Sequence, residues 1–203
     1  QGDFAAANLV HTEDRGKSFK FSYPYHQVVQ QLIYRAGDQK PKTLSQLKGD
    51  LSVIAASSKK ENLQQLRQQF PSLKWVEETD AEMSELIRKV HDGEISYTVT
   101  DSLAYDINRH IYPNTRKAFN VSAPQALAWV FPRHGDGTLI KAANQFLQQY
   151  TESGQLDALK QQLFAQTKRF SAADSKQLGQ LVNSRLPTYE AMFRQTAEKY
   201  DLD

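Results

Sequence analysis

The chain has 203 residues, of which 39% are hydrophobic and 24% charged, enough to bury a real core in one large domain or two small ones. Lys and Arg number 25 against 23 Asp and Glu, and no dense basic block exists to track a phosphate backbone, which argues against a nucleic-acid partner. With no cysteine there is no disulfide or thiolate-metal framework, and no apolar run approaches the roughly 20 residues that a membrane-spanning helix needs.

The N-terminus carries no basic region followed by an apolar stretch, and the lack of cysteine fits cytosol and periplasm equally. The opening QGDFAAANLV contains a small, apolar run over 5–10 that reads as a strand already in progress. The closing residues 189–203 are amphipathic and stop with no Gly or Pro beyond them, so the sequence reads as a fragment of something longer.

After the opening strand comes HTEDRGKSFKFSYPY (11–25), which places Arg15 in a polar turn before an aromatic segment stopped by proline. From Lys40 to about Asn120, short β-rich runs alternate with helical patterns, the rhythm of βαβ units and a mostly parallel sheet. Thr43 with Gln46, Ser58 with Glu61, and Thr79 with Glu82 each have the spacing of a capping box. The helices they predict stop at Gly49, Pro71 and Gly93, and strands are expected over 51–55, 74–76 and 95–100. Met83, Leu86, Ile87 and Val90 share one helical face, and Leu103, Ile107 and Ile111 mark a further helix.

A strand over 126–131 and a Gly-Asp turn lead to two helices, one carrying Leu139, Ala143, Phe146, Leu147 and Tyr150, the other Leu156, Leu159 and Leu163. Residues 166–175 have few aliphatic anchors and read as a linker, and 176–203 as a helical tail.

Three polar features fall at the carboxyl ends of predicted strands, where α/β sheets hold their ligands. Arg15 could take a carboxylate through two parallel hydrogen bonds. Ala56, Ser57 and Ser58 open a helix, whose free N–H groups and hydroxyls suit an anion. Asp101 could receive an ammonium group. Together they suit a zwitterion. Each also has a plainer explanation: a solvated or ion-paired arginine, a serine N-cap, and an aspartate capping the helix over Leu103. The five histidines lack metal-ligand spacing, Glu77, Glu78 and Glu94 read as solvated carboxylates, and Trp75, Trp129 and Phe131 as core.

The run HTEDRGKSFKFSYPY resembles the T-x-x-R and F-S-x-P-Y pattern of the type II periplasmic solute-binding fold used by amino-acid-binding proteins. That resemblance implies ligand contacts from Arg15, Ser57, Ser58 and Asp101, with Asn8 and Val10 lining the first lobe. A narrower resemblance, carried by QLIYR (31–35), TLSQLKG (43–49), VHDGEISYTVTDS (90–102) and LPTYEAMF (186–193), is to the membrane-bound lytic murein transglycosylase F family. Its members join a solute-binding domain to a lysozyme-like domain, where one glutamate in a Glu-Ser motif cleaves glycan strands without water.

The resemblance implies a solute-binding-like domain over 1–165 with its second lobe at about 25–100, most of the first lobe lying before Gln1, and the start of the lysozyme-like domain over 176–203. The chain ends before the matching Glu-Ser motif, so no catalytic residue is assigned, and Glu190 and Glu198 are read as exposed. Ala56 stands where the family often has glycine, which narrows the approach to the helix end. The expected function is a ligand-sensing regulatory domain that binds an amino acid or a peptidoglycan stem peptide, needs no cofactor or metal, and acts on its own C-terminal catalytic domain. The expected compartment is the periplasm, with outer-membrane association through parts outside the chain. The alternatives are the amino-acid-binding component of a transporter, and a scaffold that has lost its ligand.

Overall fold

Asn8 decides the shape of the opening segment. Its φ of 50° lies in the left-handed region, which asparagine tolerates better than most residues. The run expected as a strand therefore makes two isolated contacts, Ala5 with Val130 and Val10 with Leu127, on either side of that kink. The polar turn after it is a short helix, α1 (Glu13–Ser18), because Thr12 caps the Arg15 N–H and two acidic residues occupy the first turn.

This computed structural model describes residues 2–55, 57–135, 137–167 and 172–200. Ala56, Asp136 of the Gly-Asp turn, 168–171 of the expected linker and 201–203 lie outside the described residues.

Strands β1 (Phe19–Phe21), β2 (His26–Val28) and β3 (Gln30–Arg35) follow α1. Next come a 3-10 turn (Leu44–Gln46), β4 (Leu51–Ile54), α2 (Ser58–Leu66), β5 (Val76–Glu78), α3 (Met83–Asp92), β6 (Tyr97–Asp101), α4 (Ser102–Asn108) and β7 (Thr115–Asn120). β3 to β7 form one five-stranded sheet in the order β5-β4-β6-β3-β7. The pairings of β4 with β5 and β6 are parallel, and those of β3 with β6 and β7 antiparallel. The sheet is thus mixed where a mostly parallel one was expected. β3 alone runs against the rest, since it enters the sheet directly from β2 with no crossover helix before it.

Four consecutive residues of β3 are buried because both sheet faces are covered. On one face Leu32 joins Leu51, Val53, Val99 and Leu63 of α2. On the other, Ile33 meets Val90 of α3 and Tyr105 of α4. Gly93 ends α3 in the left-handed conformation, as its position after a helical run predicts. The three capping boxes do not form: Thr43 makes no side-chain cap, α2 is capped by Ser57, and α3 begins after Glu82 with no side-chain bond.

The strand expected over 126–131 is two strands, β8 (Gln125–Leu127) and β9 (Val130–Pro132). Between them Ser22 accepts the Trp129 N–H on its hydroxyl and donates its own N–H to the Trp129 carbonyl, turning the chain from one partner strand to the other. β8 pairs antiparallel with β2, and β9 with β1. The β2/β8 pair therefore carries the chain into and out of the lobe built on the five-stranded sheet. That lobe extends through β7, beyond the expected end near Thr100. Trp129 is half-buried and lies in a row of aromatic rings with Phe4, Phe146 and Tyr150. Helices α5 (Thr138–Glu152) and α6 (Gln155–Thr167) follow, and α7 (Ala172–Tyr200) is a single helix containing Pro187.

Candidate ligand site at the first turn of α2

The β4-to-α2 connection is built around Ser57. Its hydroxyl accepts the Lys60 N–H at 3.4 Å and donates to the Ile54 carbonyl at 2.6 Å, so it is committed to the helix cap. A box on this cap would need Glu or Gln at position 60, where the chain has lysine, which leaves Glu61 to point elsewhere. Ser58 is buried, and its carbonyl accepts a hydrogen bond of 3.0 Å from the Gln30 amide.

Gln30, 1% exposed on β3, ties this turn to the strand crossing. Its amide also donates to Gln125 on β8 at 3.0 Å, and its own oxygen accepts from Asn62 of α2 at 2.9 Å. Asn62 in addition donates to the Val121 carbonyl. Every polar atom of the Gln30 side chain is engaged, as a buried amide requires.

Arg15 and Asp101 both contact residues of the first turn of α2. The Arg15 Nε lies 3.6 Å from the Glu61 carboxylate, and its Nη1 donates to the Val10 carbonyl at 3.4 Å. Asp101 caps α4 through the Ala104 N–H at 2.8 Å, and its other oxygen takes the Lys59 ammonium at 3.0 Å. Both pairs are partly shielded from water, with side-chain exposures of 22% and 32% for Arg15 and Glu61, and 14% and 21% for Lys59 and Asp101.

Of the six residues expected to contact ligand, Arg15, Ser57, Ser58 and Asp101 gather around one turn. Asn8 instead accepts a hydrogen bond from the Tyr25 hydroxyl, and Val10 is buried with Val28 and Leu127, presenting only its carbonyl to Arg15. Sequence reasoning missed Lys59, Glu61, Gln30 and Asn62. For Lys59 and Glu61 the available signal was the charged run KKE directly after two serines.

His26 on β2 lies close by. Burial and the charge of Lys160 on α6 push its pKa below the ordinary value, with Asp101 opposing them. Glu77 and Glu78 are paired with Lys60 and Lys89, and Glu94 with Arg88. The hydrogen bond from Lys60 is the main cause that holds the Glu77 carboxyl below its usual value. Among the described residues no group of three or more histidine, aspartate or glutamate side chains is placed to hold a metal ion. The site offers guanidinium, ammonium and carboxylate groups, which can pair with ligand charges of either sign.

Residues 1–166 match the model of the bacterial extracellular solute-binding proteins, family 3, and the chain belongs to that family. Curated relatives at 32–39% identity are named membrane-bound lytic murein transglycosylase F; that of Saccharophagus degradans is 39% identical over 203 residues, covering 100% of this chain and 40% of its own length. The chain thus spans about two fifths of that relative. Among solved structures, a mutant of ArgBP from T. maritima superimposes with a TM-score of 0.70 at 20% identity, over 80% of this chain and 69% of that one. An ancestral arginine-binding protein bound to arginine gives 0.67 at 21%, over 79% and 70%. At these identities the likeness is one of fold, and the fold is that of the type II periplasmic amino-acid-binding proteins.

Proposed function

We propose that this chain is the ligand-sensing, regulatory portion of a peptidoglycan lytic transglycosylase, and that it binds an amino acid or a stem peptide with free termini. The observation that carries the reading is the convergence of Arg15 and Asp101 on the first turn of α2. A cation for an α-carboxylate and an anion for an α-ammonium are then held by elements on either side of the β2/β8 crossing. Closure of the two lobes around such a ligand shifts α7, and with it the access of glycan to a catalytic domain further along the chain. On this reading 166–175 is the linker and 176–203 opens the lysozyme-like domain; Glu190, exposed and paired with Arg194, has no catalytic part. The protein then works in the periplasm, associated with the outer membrane through other parts of the molecule.

The test is calorimetric titration of free amino acids and stem-peptide fragments into the 203-residue chain, with Arg15→Ala alongside. Binding in the parent that falls at least tenfold in the variant is the expected outcome. Equal binding in both would remove Arg15 from the site.

The scaffold reading has one specific observation in its favour: both charged receivers already have partners within the chain. Silence across the ligand panel, in a folded protein and with Glu61 replaced as well, would favour it.

A further inference from the structure

Glu61 and Lys59 occupy the positions that a ligand's own charges would take. The Glu61 carboxylate lies against Arg15 as a ligand carboxylate would, and the Lys59 ammonium against Asp101 as a ligand amine would. The two pairs differ in reach. Lys59 and Asp101 both lie between the crossing strands β2 and β8 in sequence, within one lobe. Arg15 precedes β2 and Glu61 follows it, so their contact joins one lobe to the other.

We infer that Glu61 and Lys59 are the specificity-determining residues of this site, acting as internal competitors for Arg15 and Asp101, so that the site admits ligands carrying both a carboxylate and an ammonium. This rests on the ligand reading above. The reason is charge balance in a partly shielded cluster. Arg15, Glu61, Lys59 and Asp101 sum to zero. A monocarboxylate arriving at Arg15 adds one uncompensated negative charge and displaces Glu61, whereas a zwitterion leaves the sum unchanged and supplies a partner to both receivers. The 3.6 Å separation of Arg15 and Glu61 is an ionic contact longer than a hydrogen bond, so a ligand carboxylate that bonds the guanidinium directly can displace it. Glu61 already has about a third of its side-chain surface open to water while paired, so release leaves its carboxylate solvated.

The experiment titrates the free amino acids, and the amide of whichever binds best, into the parent chain, Glu61→Gln, Arg15→Ala and the double variant. Melting curves of each serve as the folding control. Removing the competitor is expected to tighten amino-acid binding about two- to fivefold in Glu61→Gln, as for loss of a partly exposed ion pair, and the gain is expected to vanish when Arg15 is also removed. The amide, which has no carboxylate to compete, should show no such gain. If parent and Glu61→Gln bind equally while Arg15→Ala does not bind, the competitor role is wrong and the ligand reading stands. Binding that appears only in Glu61→Gln, and depends on Arg15, supports the competitor and identifies the parent as self-occupied. Silence in every variant overturns both.

Discussion

His26 is a pH-sensitive group at the lobe junction. Its pKa is lowered in the folded chain, by burial first and by the Lys160 charge second, while Asp101 opposes. In the unfolded chain it protonates near 6.5, so on acidification the unfolded state takes up the proton first and stability falls below that pH. The loss grows as pH drops toward the folded pKa and levels off beneath it. Thermal melts of the parent and His26→Gln between pH 8 and 5 check this: the variant should show a flatter acid limb, and an unchanged limb would assign the effect elsewhere. Arg15 and Asp101 were legible in the sequence because a charged residue just past a β-rich run stands out. Their partners were not, because a pairing between residues 15 and 61 is set by how two lobes meet, which no local pattern encodes. Asn8 was illegible for a different reason: a run of small residues permits a strand, and one left-handed residue is enough to break it.

Among the elements, the helices were the most readable. The apolar stripe of Leu86, Ile87 and Val90 and the stop at Gly93 define α3 within the range that the structure gives. Strands were less so, since the run over 126–131 is apolar throughout and its division coincides with a hydrogen bond to the distant Ser22. The direction of β3 left no trace in side-chain pattern, because a strand buried on both faces reads alike in either sense. One polar contact that helps fix α2 to the rest is the Gln30 amide, which holds Ser58, Asn62 and Gln125 together. Gln30→Leu removes that hub while keeping the volume nearly constant, and leaves the Ser58 carbonyl and the Gln125 amide oxygen without this donor. A loss of about 1–3 kcal/mol in urea unfolding is expected, the usual penalty for stranded buried polar groups. A change under about 0.5 kcal/mol would mean that water or a neighbour satisfies them equally well.

At the scale of the molecule, one lobe is built on the five-stranded sheet, and the chain enters and leaves it through one antiparallel strand pair, β2 with β8. The Arg15–Glu61 contact adds a second tie between the lobes, made of charge where the first is made of backbone hydrogen bonds. The strand pair also makes the lobe a cassette. Residues 26–127 begin and end opposite one another, His26 against Leu127, so the stretch has the ends of an inserted module, one that recombination or a cloning scheme could lift out whole. It carries the nine-residue buried cluster around Leu32 and the Gln30 network, and gives up the cover that Val10 and Tyr25 provide over Val28 and Leu127 together with the Arg15–Glu61 contact. Produced alone, 26–127 should unfold cooperatively on heating with native-like circular dichroism; a non-cooperative melt would show that the flanking residues are part of its folding unit. The same geometry allows a lineage to exchange this lobe for another without rebuilding the chain on either side.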